Sequence, residues 1–247
     1  MILGKDGMKE MLGKGIFIDP FNPKQVNTSS YDVRAAPWHF RQHDMRATGD
    51  FFFNPYSPEV VERYYGEAQI APMAKDIRHY DPESEIWENI LPWHRVIVLQ
   101  PGEMILGCTA EFIGGTRDPE TGRCFTTEMR ARSSIGRIGL EVCRCAGWGD
   151  DGYVNRWTLE VVSTGLVPIP VVVANLPEDV RLDCYQGPEV GLTGTRLAQI
   201  VFHETTPIKP GDLYGADGRS HYQTGTEIKR IKADWHPGML LPKLTTF

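Results

Sequence analysis

What this 247-residue chain lacks narrows its roles first. No apolar run approaches the eighteen or so residues that a membrane helix needs, so no membrane partner is expected. The opening MILGKDGMKEML has neither a long apolar core nor a small-residue cleavage site, which argues against a signal peptide. Positive charge is short: 26 Lys and Arg against 32 Asp and Glu leave a formal net charge of −6. General nucleic-acid coats are basic over a whole face, so no nucleic-acid partner is expected either. A local basic pocket is still compatible, because its field depends on its own lining. The five cysteines, at 108, 124, 143, 145 and 184, are an odd number and fit free thiols in a reducing compartment. The expected location is therefore the cytoplasm, or the host cytoplasm if the chain is viral.

Familiar catalytic fingerprints are missing as well. There is no phosphate-binding P-loop, no G-x-S-x-G elbow and no dinucleotide motif. Cys143 and Cys145 form a C-x-C pair without the second pair that a zinc site needs, so no zinc is expected. The H-x-E and P-C-x-x-C elements of zinc nucleobase deaminases do not occur. His39 and His43 are the only histidines four apart, and they read as a surface pair.

What is present points to an all-β body. Twenty-five glycines and 18 prolines punctuate short apolar runs. Strands are expected at 15–19, 30–34, 95–100, 104–113, 138–143, 156–162, 167–173 and 196–204. Turns are expected at 101–103 and 114–122, the second closing a hairpin. Pro168 and Pro170 put their strand at an edge or a bulge. Two helices are expected, one near 6–12 capped by Asp6 and one near 58–66 capped by Ser57 with Pro58 in its first turn. Residues 37–92 read as one long insertion and 205–247 as a loop-like arm able to reach over a neighbour. The expected organisation is a single domain over 1–247.

Three stretches carry chemistry. In MRARSSIGRIGL, three arginines surround Ser133 and Ser134, and hydroxyls with guanidinia match phosphate oxygens well. The plainer alternative is a solvated strand end with salt bridges to Glu128 and Glu141. In RWTLEVV, alternation places Trp157, Leu159 and Val161 on one face and Thr158, Glu160 and Val162 on the other. Glu160 is then a lone carboxylate in an apolar strand, where burial would lift it into the range useful for proton transfer. The alternative is a solvent-facing Glu or one paired with a structural Arg. In CAGWGDDGYVN, Asp150 stands ten residues before Glu160, and both could flank one pocket if the turn folds back. Asp beside Gly is more commonly only a turn former.

The combination resembles the dCTP deaminase branch of the dCTP deaminase/dUTPase superfamily. ILGKDGMKEMLGKGIFIDPFNPKQVNTSSYDVR is similar to that branch's opening, and LQPGEMILGCTAEFI to its hPGE-hhLhhThE strand pair. RSSIGRIGL and AGWGDDGYVNRWTLEVVS match its two site motifs, and RLAQIVF is similar to a dUTPase strand. The resemblance covers about 150 residues. It implies a distorted jelly-roll-type β-barrel assembled as a homotrimer, with active sites between subunits. Glu160 would be the general acid/base that moves protons between water, the cytosine N3 and the leaving amine. Ser133 and the Ala146 backbone would hold the water, and Arg137 would orient Glu160 from across the interface. Arg132, Ser133 and Ser134 would bind the triphosphate, which brings Mg²⁺ with it. Tyr153, Gln199, Tyr214, His221 and Tyr222 would complete the substrate side.

The sequence departs from the family pattern in places. His221 stands where the arm has a phosphate-contacting Lys, Gly225 where it has a second Gln, Ala131 and Asn155 where the motifs have Gly, and Gly149 where Ile is usual. Residues 37–92 and 175–194 exceed the compact members. Gly147 is similar to bifunctional members, which also split dUTP to dUMP and pyrophosphate; there Asp150 would activate the attacking water. The expected activity is zinc-independent deamination of dCTP, or of a modified deoxycytidine nucleotide, to dUTP and ammonia, with that second hydrolysis as an added option. The alternatives are a dUTPase-like pyrophosphatase and a nucleotide-binding regulator without turnover.

Overall fold

The computed structural model describes residues 1–49, 51–144, 146–175, 193–218 and 220–244. Cys145, Cys184 and most of the stretch 175–194 lie outside the described residues. In chain order the strands are β1 (Ile16–Asp19), β2 (Tyr31–Arg41), β3 (Gln69–Ile70), β4 (Arg95–Leu99), β5 (Met104–Gly115), β6 (Cys124–Ala131), β7 (Leu140–Glu141), β8 (Trp148–Gly149), β9 (Val154–Ser163), β10 (Ile169–Val173) and β11 (Arg196–Thr205). The helices are short: α1 (Lys5–Met11), α2 (Pro58–Tyr65), α3 (Ser133–Arg137) and α4 (Ile228–Asp234). Among the described residues no helix is long and apolar enough to cross a membrane. The all-β expectation holds.

One antiparallel sheet runs in the order β7-β9-β5-β2-β11-β6-β8, and β4 and β10 form a separate pair. The sheet curls because its long strands change partners along their length. Residues 31–34 of β2 pair with β11, whereas residues 35–41 pair with β5. Likewise β5 meets β2 over Ile105–Thr109 and β1 over Phe112–Gly115, keeping β9 on its other edge. The concave side encloses the main core, with Tyr31, Val33, Phe125, Trp157, Leu159, Ile200 and Phe202 among its buried side chains. Among the described residues β10 pairs only with β4, an edge position compatible with Pro170.

Several local expectations are corrected. The first helix is capped by Gly4 rather than Asp6, which sits in the first turn near the helix's positive end. The strand expected at 30–34 continues to Arg41 through what reads as the start of the insertion. Pro37 is accommodated because the β2–β5 register shifts between Ala35 and His39. The strand expected at 138–143 shrinks to two residues, since residues 133–137 coil into α3 and Gly139 turns the chain at φ +81°. His43 is exposed, but His39 is buried opposite Gly107 and is not a surface residue. The second helix follows expectation: Ser57 Oγ accepts from the Val60 N–H at 3.4 Å, and Pro58 opens the first turn.

The convex face of β2, β5 and β9 carries a second apolar layer. Ala36, Phe40, Leu106, Cys108 and Ala110 from the sheet pack with Val61 and Tyr65 of α2 and with Leu240 of the C-terminal stretch. The arm that reads as loop-like thus contains a helix, α4, and docks on its own chain. The dock centres on Arg156, whose guanidinium carbon lies 4.7–5.1 Å from the ring centroids of Trp38, Phe112 and Trp235. Lys232 adds an ion pair to Asp19. Two segments far apart in sequence therefore roof the face on which Glu160 stands.

Candidate active site

Strand alternation fixes the site's orientation. Trp157, Leu159 and Val161 enter the main core, so Thr158 and Glu160 face the convex side, with Leu106 directly across from Glu160 on β5. The Glu160 side chain is half-buried, and its carboxylate makes no hydrogen bond or ion pair with a described residue, while its backbone belongs to the β5–β9 ladder. It lines a cavity of about 400 Å³ together with Asp150, Ala146, Tyr153, Tyr214 and Tyr222. Tyr65, Met104, Leu106, Leu240 and Pro242 give this cavity an apolar side. Burial, and to a lesser extent the nearby Glu160 carboxylate, holds the Tyr65 hydroxyl above its ordinary range.

The turn before β9 does fold back toward Glu160. The Asp150 carbonyl accepts from the Tyr153 N–H at 2.9 Å, and Gly152 turns the chain at φ +98°, where Tyr214 and Leu213 also leave no room for a Cβ. Asp150 stays exposed at the cavity wall. Asp151 is buried: its Oδ1 accepts from Thr205 Oγ1 at 2.9 Å, its carbonyl accepts from the Tyr214 N–H at 2.8 Å, and burial pushes its carboxyl up. One aspartate faces the cavity, and the other braces the turn. At Gly149, where the family pattern has Ile, a Cβ would meet Thr127 Oγ1 and the Trp157 ring at 2.5 Å, so those side chains would have to move to admit one. A Cβ at Gly147 would meet the Met129 carbonyl oxygen at 2.8 Å.

The arm reaches the cavity through a buried residue that sequence reading missed. Gln223 Oε1 accepts from the Val154 N–H at 2.9 Å, while its Nε2 donates to the carbonyls of Gly152 at 2.8 Å, Gly225 at 3.0 Å and Tyr214 at 3.4 Å. Asn155, the departure from Gly, donates through Nδ2 to the Tyr222 carbonyl at 2.7 Å. These bonds fix Tyr214 and Tyr222, and Tyr153 packs edge-on to Tyr214 at 5.3 Å. Burial pushes the hydroxyls of Tyr153 and Tyr214 up. The signal available in the sequence was adjacency, since Gln223 follows Tyr222 directly. Tyr65, Leu240 and Pro242 gave none, because they come from the insertion and the tail.

The remaining expected residues lie outside this cavity. Ser133, Ser134 and Arg137 are exposed on α3. Arg132 precedes that helix, with Nε 3.4 Å from Asp32 Oδ2, an oxygen it shares with Arg196 at 3.1 Å. Asp32 is fully buried, so this shared ion pair holds Arg132 to the sheet. Arg130 pairs with Glu128, as the plainer reading has it, whereas Glu141 pairs with Arg144 at 3.0 Å rather than with an arginine beside the serines. Gln199 is half-buried on β11 opposite Asp32 and Arg130. His221 is exposed and contributes its carbonyl, not its ring, to a contact with Lys243. Within one chain, Glu160 and Asp150 come together with the tyrosines, and the Ser–Arg cluster does not join them. Among the described residues no three His, Cys, Asp or Glu side chains gather as a metal-ligand group.

Known proteins similar to this chain share one activity in their names. A protein named "dCTP deaminase, dUMP-forming" from Clostridium acetobutylicum is 31% identical over 161 residues, spanning 65% of this chain and 70% of its own. One of the same name from Methanosphaera stadtmanae is 28% identical over 239 residues, 95% of each chain. Among solved structures, the 2'-deoxycytidine 5'-triphosphate deaminase from Agrobacterium tumefaciens is similar over 81% of this chain and 46% of its own, at 16% identity and a TM-score of 0.47. Residues 2–174 match the model of the family described as "dCTP deaminase-like", and the chain belongs to that family.

Proposed function

We propose that the protein deaminates dCTP and carries the product on to dUMP. In the first step water adds to C4 of the cytosine and ammonia leaves, giving dUTP. In the second, water attacks the α-phosphate of dUTP and releases dUMP and pyrophosphate. The observation that carries the reading is Glu160, a carboxylate without a described partner in the wall of a half-apolar cavity, in a chain of the dCTP deaminase-like family. The name shared by its relatives, dUMP-forming, favours the two-step outcome over release of dUTP.

Glu160 takes a proton from the attacking water, passes it to N3, and returns a proton to the departing amine. Such transfers need a group within hydrogen-bond reach that no structural partner occupies. Ala146 and Thr158 stand on the same cavity wall and can hold the water and the base edge. Asp150, exposed at that wall, activates the second water. The tight approach of Gly147 to β6 suits a motif with no side chain there, as the bifunctional reading expects. Mg²⁺ enters with the triphosphate as part of the substrate.

The Ser–Arg cluster completes the site from a neighbouring subunit. Ser133, Ser134 and Arg137 are exposed on α3 and absent from their own chain's cavity, which suits a homotrimer that seats α3 of one subunit against the cavity of the next. Arg132 with the serines then grips the triphosphate, and Arg137 orients Glu160. Incubation with dCTP and Mg²⁺, following ammonia, dUTP, dUMP and pyrophosphate separately, tests the reading. Ammonia, dUMP and pyrophosphate in equal amounts are expected. Ammonia with dUTP alone would limit the protein to deamination, and pyrophosphate from dUTP without any ammonia from dCTP would refute the deaminase reading.

A further inference from the structure

The cavity beside Glu160 is short of cations. Glu160 and Asp150 line it, and no Lys or Arg does so among the described residues. A polyphosphate brought to such a wall needs a positive group nearby, because charge-assisted contacts are what hold phosphate oxygens. The tail supplies one. Lys243 Nζ donates to the His221 carbonyl at 2.9 Å and lies 5.7 Å from the centroid of the Tyr222 ring. The Lys243 backbone N–H donates to Tyr222 Oη at 3.3 Å. Tyr222 and the preceding Pro242 are both part of the cavity wall.

This lysine is held, not free to sweep. Leu240 is buried in the convex apolar layer three residues earlier, so the tail arrives at the rim from a fixed point. An ammonium has three donors, and the His221 carbonyl engages one. The charge is thus stationed over a tyrosine of the cavity with donor capacity to spare.

We propose that Lys243 is a polyphosphate-binding residue of this cavity, carried on the same chain as Glu160. The ligand class, a nucleoside triphosphate, rests on the function proposed above; the position of the cation does not. Lys243→Met keeps the apolar stem and removes the charge, and Lys243→Arg restores a cation. Calorimetric titration of the full chain with inorganic tripolyphosphate and with dCTP, in parallel with ammonia release, separates the two readings. The expected result is about tenfold weaker binding of both ligands to Lys243→Met, recovered in Lys243→Arg, in line with the strength of a hydrogen bond to a charged group. The difference should shrink as salt is raised. Unchanged tripolyphosphate and dCTP binding in Lys243→Met would overturn this inference and leave the deaminase reading standing. Weakened binding in a protein that releases no ammonia would keep the lysine and discard the reaction. A wild-type chain that binds neither ligand would overturn the inference as well.

Discussion

Replacing Gln223 by Ala removes the joint between the arm and the turn that precedes β9. The side chain is 3% exposed and makes three well-formed bonds of 2.8–3.0 Å, to the Val154 N–H and to the Gly152 and Gly225 carbonyls. At about 1 kcal/mol net for each, and with buried partners left unsatisfied, the loss is about 3 kcal/mol. That is a large share of the ~5–15 kcal/mol by which a domain is stable. If docking of the arm contributes less than this, the arm detaches and the global loss saturates at the docking energy. Urea unfolding therefore needs to be paired with limited proteolysis: a fall in midpoint at constant slope reports global destabilisation, and early cleavage within 208–244 reports detachment. Either outcome displaces Tyr214 and Tyr222 and should raise KM for dCTP. Gln223→Glu keeps the acceptor for Val154 but turns a carboxylate toward two carbonyls, and should be no better than Ala. A Gln223→Ala variant within about 0.5 kcal/mol of wild type, with an uncleaved arm, would refute this account.

Other consequences can be checked directly. Glu160→Gln should retain dCTP binding and lose ammonia release by about 10²–10⁴-fold, the usual weight of a general acid/base; near wild-type turnover would remove Glu160 from the mechanism. Arg137→Ala should be inactive on its own, yet mixing it with Glu160→Gln under subunit exchange should restore part of the activity, because some mixed sites then hold both wild-type groups. No recovery in a mixture shown to exchange would count against a shared site. Burial holds the His39 imidazole down to about 4. Its neutral form is the folded one, so its contribution is complete above the unfolded value of ~6.5 and is lost as pH falls from there toward 4, by about 3 kcal/mol at most. Urea unfolding at pH 7 and pH 5 should show a steeper loss for wild type than for His39→Gln, and equal slopes would refute the assignment.

The parts of this molecule that sequence disclosed were those with a short-range cause. Ser57 and Pro58 announce α2 because a cap acts within one turn. The alternation in RWTLEVV places Glu160 opposite the core because a strand has a period of two. The Asp6 expectation failed within the same kind of rule, since Gly4 takes the cap and Asp6 serves the first turn. What stayed hidden depends on partners distant in sequence. His39 looks like a surface residue until β2 is seen to run on past Pro37, and that continuation rests on a register shift against β5. Tyr65, Leu240 and Pro242 wall the cavity because the insertion and the tail meet on the convex face, a meeting that no local pattern encodes. The Ser–Arg stretch was legible as an anion-binding composition, yet its coiling into α3 was not, because Ser and Gly are weak helix formers.

The shared strand β2 bears on how the molecule is made. Its first half pairs with β11, whose residues leave the ribosome more than 160 positions later. At about 5–20 residues per second the edge of β2 waits on the order of ten to thirty seconds for that partner. During synthesis, Tyr31 and Val33 therefore stand exposed on a nascent chain with open backbone donors and acceptors, although both are fully buried at the end. Slowing translation late in the message should lengthen that interval and lower the soluble yield, whereas co-expressed holdase chaperones should raise it.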